Sequence, residues 1–383
     1  MGWFLVVSIC ISLLLVVYVG SHLLFLFQWR QKSRFFKIFF WLGIIVSGFA
    51  LVIGRMIAAS GYVIPLCLSY LFAFFLCLFL SCLIFDVIIL MVKCLTGKLM
   101  SFGRKSQLCF LLLVFAIFGH GLYMANMPNV VYYKVTIAKP SYVRDLRIVQ
   151  VSDVHISELT STAFVEGMVK RINQRDPDYI FITGDTLDIR LKPFIDKNMA
   201  SLFAKLKSTY GTIIVLGNHE YYGVAREKEN SEQAIVEAFS AGNMLVLKDE
   251  VLYSAETDSY IIGRRDRAVD QLISARAPLS DLMAQTVSTK PIFLLDHQPY
   301  DLNEPASAGV DIMFSGHTHG GQIFPVTLLI SLMYENAWGM LQKVINQHQF
   351  TSIVSRGYGF WGPPIRLMSR AEIAVTDIRF QPE

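Results

Sequence analysis

The sequence predicts a membrane region of four helices followed by an α/β domain in which layered β-sheets are flanked by helices. Three observations lead to this fold class. The chain of 383 residues is 54% hydrophobic, which is high for a soluble protein of this length. The apolar excess lies in residues 1–126. From about residue 130, short strand-like runs alternate with helix-like stretches.

The N-terminal region contains four long apolar runs. Each is close to or longer than the roughly 20 residues that a helix needs to cross the bilayer core. No Lys or Arg precedes the first run, and its apolar core is too long for a cleaved signal peptide, so we expect it to remain as a membrane helix. The predicted membrane helices are about 3–27, 38–58, 62–85 and 107–126.

Loop charge predicts the orientation of these helices. The loops at 28–37 and 93–106 together hold eight Lys and Arg residues, against four on the other side. Loops rich in Lys and Arg stay in the cytoplasm. The sequence therefore predicts a multi-pass protein of the cell membrane whose C-terminal domain lies outside the cytoplasm.

The distribution of charge and cysteine narrows the function of the C-terminal domain, which we assign to residues 127–383. This domain has a small acidic excess, which argues against nucleic acid as a partner. All six cysteines lie in residues 1–126. A disulfide framework and a thiolate zinc site are therefore excluded from the domain.

Short apolar runs in the C-terminal domain are typical of strands buried on both faces. Helix-like stretches lie between several of them, at about 160–173, 192–208 and 228–241. This alternation predicts a layered α/β domain. The predicted strands are 130–137, 146–152, 179–183, 212–217, 291–295 and 310–315.

Side chains that can bind a metal follow five of these strands. Because the carboxyl ends of strands in open α/β sheets gather at one edge, where ligands bind, we expect these side chains to meet. Each cluster alone is typical of surface or capping residues, but five in succession favour one shared site. The clusters contain Asp153 and His155, then Asp185 and Asp188, then Asn218, His219 and Glu220, then His297, and finally His317 and His319.

The ligand types in these clusters indicate the class of metal. Carboxylate oxygens, imidazole nitrogens and an amide oxygen together suit Mn, Fe, Zn or Co. Asp153 and His155 can project to the same side where a strand ends, and His317 and His319 repeat their spacing. Gly316 permits a tight turn and a close approach of the backbone. We therefore expect the two imidazoles of the GHTH turn (316–319) to bind two adjacent divalent ions.

The order of the motifs resembles a known family. The set D-x-H, G-D-x-x-D, G-N-H-E, H and G-H-x-H, over about residues 145–322, resembles that of the calcineurin-like metallophosphoesterases. The tail SRGYGFWGPPIRL (355–367), followed by AEI (371–373), resembles the branch with N-terminal membrane helices. The resemblance implies an enzyme that binds two divalent ions and hydrolyses a phosphoester or pyrophosphate bond with an activated water.

The resemblance also implies roles for individual residues. His219 would face the substrate phosphate as a catalytic residue. Asp188 and Glu220 would orient the metal ligands and tune their basicity. The implied ligands are Asp153, His155 and His319 for the first ion, Asn218, His297 and His317 for the second, and Asp185 as the bridge between the two.

The membrane helices favour a lipid-linked phosphoester as the substrate. One alternative is hydrolysis of UDP-2,3-diacylglucosamine in lipid A synthesis. Related enzymes catalyse that reaction on the cytoplasmic side, contrary to the predicted orientation. A second alternative is a non-catalytic metal-binding scaffold. The apolar stretch 325–342 and the aromatic stretch 358–364 either line the rim of the site or pack within the domain, and packing is the expectation.

Overall fold

The computed structural model describes four stretches of the chain, residues 2–57, 63–97, 103–227 and 230–381. The predicted helix limits 58 and 62, Lys98 of the second basic loop, and the start of the predicted 228–241 helix lie outside these residues. The chain divides into two compact units. The first comprises residues 1–123 and 362–365, and the second comprises residues 124–361 and 366–383.

The predicted membrane helices are present, and all four are long and apolar enough to cross a membrane. They are α1 (Gly2–Leu26), α2 (Arg34–Met56), α3 (Val63–Thr96) and α4 (Arg104–Asn126). Helix α3 continues past its predicted end at residue 85 because residues 87–92 extend the apolar run. Asp86 accepts a hydrogen bond from the hydroxyl of Tyr18 (2.5 Å) and lies 3.2 Å from Nδ1 of His22.

Two six-stranded sheets form the second unit. In chain order the strands of the described residues are β1 (Asn129–Ile137), β2 (Asp145–Val151), β3 (Tyr179–Thr183), β4 (Gly211–Val215), β5 (Met244–Val246), β6 (Glu250–Ser254), β7 (Ser259–Gly263), β8 (Ile292–Leu295), β9 (Ile312–Ser315), β10 (Gly339–Ile345), β11 (His348–Val354) and β12 (Glu372–Phe380). The six predicted strands correspond to β1, β2, β3, β4, β8 and β9.

The helices of the second unit are shorter than the membrane helices. They are α5 (Thr162–Asn173), α6 (Lys192–Asp196), α7 (Met199–Phe203), α8 (Asn218–Arg226), α9 (Glu232–Ser240), α10 (Ala268–Leu272), α11 (Leu279–Met283), α12 (Asn303–Ala308) and α13 (Val326–Met333). The prediction of one helix over 192–208 is wrong. Asn198 has a left-handed backbone (φ 48°), which interrupts the helical hydrogen bonds and separates α6 from α7.

The strands that precede the predicted metal-binding clusters belong to two sheets and run parallel within each sheet. The first sheet has the order β1-β12-β2-β3-β4-β5, and β2 to β5 run parallel. The second sheet has the order β10-β11-β9-β8-β7-β6, with β11, β9, β8 and β7 parallel. The strands that precede the clusters therefore end together within each sheet.

The inner faces of the two sheets share one apolar core. Phe181 of β3 and Phe314 of β9 meet there, with ring centres 5.2 Å apart and an interplanar angle of 80°. Buried residues of α5, α7 and α9 pack on the outer face of the first sheet. Residues of α11 and α12 pack on the outer face of the second. The predicted fold class is confirmed.

Candidate metal centre

Backbone hydrogen bonds hold the first two clusters side by side beyond the ends of β2 and β3. The N–H of Asp153 donates to the carbonyl of Gly184 (3.0 Å). The N–H of His155 donates to the carbonyl of Asp185 (3.0 Å). Two neighbouring parallel strands thus bring a carboxylate and an imidazole from one turn next to a carboxylate from the other.

Asp153, His155 and His319 form the first group of candidate ligands. One ligand atom from each lies within 4.8 Å of the others. The Nε2 atoms of His155 and His319 are 2.9 Å apart, and Nε2 of His319 is 3.4 Å from Oδ1 of Asp153. Two imidazole lone pairs directed at one point repel each other unless a proton or a cation lies there. This group therefore fits a cation.

Asp185, His297 and His317 form the second group, again with ligand atoms within 4.8 Å of one another. The side-chain oxygen of Asn218 joins them, at 2.8 Å from Nδ1 of His317 and 3.2 Å from Nε2 of His297. Nδ1 of His297 lies 2.7 Å from the carbonyl of Thr183 and donates to it. That hydrogen bond directs Nε2 of His297 toward Asp185 and Asn218. Burial opposes protonation, but the carboxylate of Asp185 raises the pKa of His297, so a metal ion would replace a proton at Nε2.

Asp185 lies between the two groups. Its Oδ2 is 3.2 Å from Nε2 of His297 in the second group and 3.9 Å from Nε2 of His155 in the first. Its Oδ1 accepts the backbone N–H of His219 (2.9 Å). One carboxylate oxygen within reach of imidazoles from both groups is the arrangement that a bridging ligand requires.

His219 lies beside both groups and is almost buried. Its Nδ1 is 2.8 Å from the carbonyl of Asp188 and 3.3 Å from Oδ1 of the same residue. Burial opposes protonation, but the carboxylates of Asp185 and Asp188 raise the pKa of His219 to about 9. Its ring also lies within ligand distance of His155 and Asp185. Geometry alone thus fits both a proton donor and a ligand.

Glu220 binds the backbone of two ligand-bearing segments. Its Oε2 accepts the N–H groups of Gly217 (2.8 Å) and Asp185 (3.1 Å), and its Oε1 accepts that of Leu187 (2.7 Å). Burial and the nearby Asp185 raise the pKa of Glu220 to about 7. The carboxylate therefore fixes the turn that carries Asp185 relative to the turn before Asn218.

Five candidate ligands have left-handed backbone conformations, which are uncommon outside glycine although Asp and His tolerate them best. Each such residue costs on the order of 1–3 kcal/mol and persists only where the surrounding structure holds it. Residue type and spacing do not reveal this feature. The five are Asp153 (φ 54°), His155 (50°), Asp185 (52°), His317 (72°) and His319 (52°).

Gly316 is required for space at the GHTH turn. A Cβ there would lie 1.8 Å from Oγ of Ser152 and 2.5 Å from Oδ2 of Asp153. The absence of a side chain lets the N–H of His317 donate to both carboxylate oxygens of Asp153, each at 3.0 Å. The turn after β9 thereby lies directly against the end of β2 and joins the two sheets at the centre.

Burial and charge at the centre suit divalent cations. Asp153 and Asp185 are buried, which alone would raise their pKa values, yet the neighbouring imidazoles hold both pKa values well below the ordinary range. Burial lowers the pKa of His317 to about 3 and that of His319 to about 4, so both rings are neutral and offer lone pairs. Buried carboxylates beside neutral imidazoles fit metal ions.

Arg366 is a buried residue of the centre that sequence reasoning missed. Its guanidinium donates to the carbonyls of His319 (3.2 Å), Gly357 (3.1 Å) and Gly359 (2.6 Å). The hydroxyl of Ser369 also donates to the carbonyl of His319 (2.7 Å). The sequence of the tail that contains Arg366 indicated only a family resemblance. The neighbouring residues in a sequence do not distinguish a buried arginine from a surface arginine.

Asp266 is a second residue that was missed. It follows β7, is buried, and accepts hydrogen bonds from the side chain of Gln298 and the N–H of Ala268, both at 2.8 Å. Burial raises the pKa of Asp266 to about 6. Gln298 is the neighbour of His297, so Asp266 supports that turn. The signal was available, since Asp266 comes soon after the apolar run YIIG (260–263).

Known proteins similar to this chain decide its family. A profile of the calcineurin-like phosphoesterases matches residues 146–321. A metallophosphoesterase of Campylobacter jejuni is 30% identical over 315 residues, which cover 79% of this chain and 78% of that protein. The chain belongs to the calcineurin-like phosphoesterase family. It is therefore a metallophosphoesterase, as the motifs predicted.

Two other relatives bear on the membrane region: one aligns with nearly the whole chain, and the other is named as a transmembrane protein. A Helicobacter pylori metallophosphoesterase is 27% identical over 374 residues, covering 96% of this chain and 97% of that protein. A Danio rerio protein named as a transmembrane protein with a metallophosphoesterase domain is 29% identical over 65% of this chain and 57% of its own length. The predicted resemblance to the transmembrane branch is confirmed.

Solved structures add a distant likeness. A dimetal phosphatase from Danio rerio covers 56% of this chain and 88% of its own, with 10% identity and a TM-score of 0.35. A likeness at this score carries no weight for function.

Proposed function

We propose that this chain is a membrane-anchored phosphoesterase that holds two divalent ions and hydrolyses a phosphoester or pyrophosphate bond. The observation that supports it most directly is the position of Asp185, whose Oδ2 lies within 4 Å of imidazoles from both ligand groups. The proposed ligands are Asp153, His155, His319, Asn218, His297, His317 and the bridging Asp185.

The ligand types suit Mn, Fe, Zn or Co. Two such ions would supply Lewis-acid polarisation of the phosphoryl group and an activated water. The protein supplies orientation. Thr183 and Gly316 hold His297 and the GHTH turn in place, and Glu220 fixes the segment that carries Asp185. The carboxylates of Asp185 and Asp188 raise the pKa of His219, so its imidazole is protonated near neutral pH. The imidazole then donates either a hydrogen bond to a phosphoryl oxygen or a proton to the leaving oxygen.

The role of His219 gives a direct test. We expect His219→Ala in the full-length protein to retain its metal and to lose about 10²–10⁴-fold in turnover, the usual contribution of a general acid. The matched control is His348→Ala, at the start of β11, whose imidazole donates to the carbonyl of Val310 (2.8 Å). Initial rates on p-nitrophenyl mono- and diesters and metal content by mass spectrometry are measured on the same samples.

Each outcome of this test has a distinct meaning. Equal loss of metal and activity in His219→Ala would make His219 a ligand. Inactivity of the manganese-loaded wild type on both ester classes and on a pyrophosphate diester would contradict the proposed hydrolase activity and favour the scaffold alternative.

We favour a lipid-linked phosphoester as the substrate. We further propose that the catalytic domain, residues 127–383, lies outside the cytoplasm and is anchored in the membrane by residues 1–126. The short connection supports this choice, since only Met127 and Pro128 separate α4 from β1. The UDP-2,3-diacylglucosamine hydrolase remains the specific alternative and requires the domain to lie in the cytoplasm.

A further inference from the structure

An exposed apolar surface follows the GHTH turn. Segment 323–334 contains no charged residue. Within α13 only Thr327 is buried, whereas Leu332 is 85% exposed and Met333 65%. The expectation that this stretch packs within the domain is therefore wrong for α13. We define the apolar surface as the exposed side chains of Phe324, Val326, Leu328, Leu329, Leu332 and Met333.

Close backbone packing joins this apolar surface to the metal centre. A Cβ at Gly321 would lie 2.3 Å from Cα of Thr327, so the first turn of α13 rests on the chain two residues after His319. The N–H of Phe324 donates to the carbonyl of Leu367 (3.1 Å). The position of α13 is therefore fixed relative to the ligands.

Trp361 extends the apolar surface to the proposed catalytic residue. Gln322 accepts the backbone N–H of Trp361 (2.9 Å) and donates to its carbonyl (3.1 Å). The indole is half exposed, and its ring centre is 6.5 Å from that of His219. Tryptophan is the residue type enriched where protein meets the bilayer surface. Trp361 therefore lies between the segment that carries the apolar surface and His219.

We propose that the apolar surface inserts into the interfacial layer of the bilayer that α1 to α4 cross. A helix with an uncharged, leucine-rich exposed side can bury that side about 5–10 Å into the headgroup and acyl boundary. Only two residues join α4 to β1, and such a connector spans at most roughly 7 Å. Insertion would place the metal centre at the level of the lipid headgroups.

A bilayer suits this surface better than a protein partner. A stable protein interface takes about 20–30 residues from each side. The apolar surface offers six residues, with Trp361 beside them. Insertion into lipid requires no matching surface, so a single exposed helix is sufficient.

Depth-dependent fluorescence quenching tests this proposal without any catalytic step. The full-length chain, with its six cysteines replaced, carries the single change Leu332→Cys and an environment-sensitive fluorophore in phosphatidylcholine nanodiscs. The matched control is Leu245→Cys, a half-exposed leucine on β5 at the opposite edge of the first sheet from β1. We expect nitroxide on the lipid acyl chain to quench the Leu332 probe about fivefold more than the control, since an inserted helix lies within the acyl boundary.

Aqueous iodide gives the reciprocal measurement, and we expect it to quench the control probe more strongly. Equal iodide quenching at both positions would overturn the proposal, because the surface would then face water. Protection of the Leu332 probe from both quenchers would also overturn it, since a second copy of the chain or another protein would then cover α13.

Discussion

Glu220 illustrates how a residue that is no ligand can control the centre. Its two carboxylate oxygens accept three backbone N–H groups from two separate turns, and it is fully buried. A neutral amide has only one acceptor oxygen and presents an NH₂ group where a second acceptor is needed. The side chain therefore has to be a carboxylate for the two turns to keep their spacing.

We expect Glu220→Gln to lower the free energy of unfolding by about 1–3 kcal/mol, because buried N–H groups lose their acceptor. Metal affinity should fall about 10–100-fold, as is usual when a group that orients ligands is lost. Denaturant unfolding and metal titration measure the two effects. Glu237→Gln, at an exposed position of α9, is the control and should leave both unchanged. Wild-type metal affinity in Glu220→Gln would contradict the proposed role.

At the residue scale, the sequence predicted which side chains meet but not how the backbone presents them. Asp153, His155 and His319 come together as expected because their types and positions after strands already imply a shared edge. Their left-handed backbone conformations and the support from Arg366 depend on distant segments. No local pattern encodes those contacts.

At the scale of elements, continuous apolar runs predicted strands and membrane helices correctly, whereas a break within a helical pattern was not predicted. The six predicted strands and the four membrane helices follow from run length and composition. The break between α6 and α7 depends on one left-handed residue, Asn198, which a helical pattern does not exclude. The exposure of α13 was also unpredicted, because an apolar run looks the same whether it packs against protein or faces outward.

The predicted orientation of the membrane helices leads to a prediction about the loop at 158–162. We expect a membrane-impermeant maleimide to label Thr162→Cys in intact spheroplasts, because the predicted orientation keeps the two basic loops in the cytoplasm and the C-terminal domain outside it. The control is Lys32→Cys in the first basic loop, which should react only after permeabilisation. Both use a background without other cysteines. The reverse pattern would place the metal centre in the cytoplasm and favour the UDP-2,3-diacylglucosamine reaction.

At the scale of the whole molecule, the centre exists only because two sheets bring their strand ends to one place. Asp153 and Asp185 follow strands of the first sheet, whereas His297 and His317 follow strands of the second. The sequence predicted layered sheets and five strand ends at one edge, but not which strands belong to which sheet. That division depends on pairings such as β12 with β2, between segments more than 200 residues apart.

Counting bound metal in the purified full-length chain tests the central claim most directly. We expect about two divalent ions per wild-type chain, as in two-metal hydrolytic sites, and loss of both in Asp185→Asn because one oxygen serves both groups. Asp196→Asn, an exposed aspartate paired with Lys192, should retain both. A single ion in the wild type, or two ions retained in Asp185→Asn, would contradict the account.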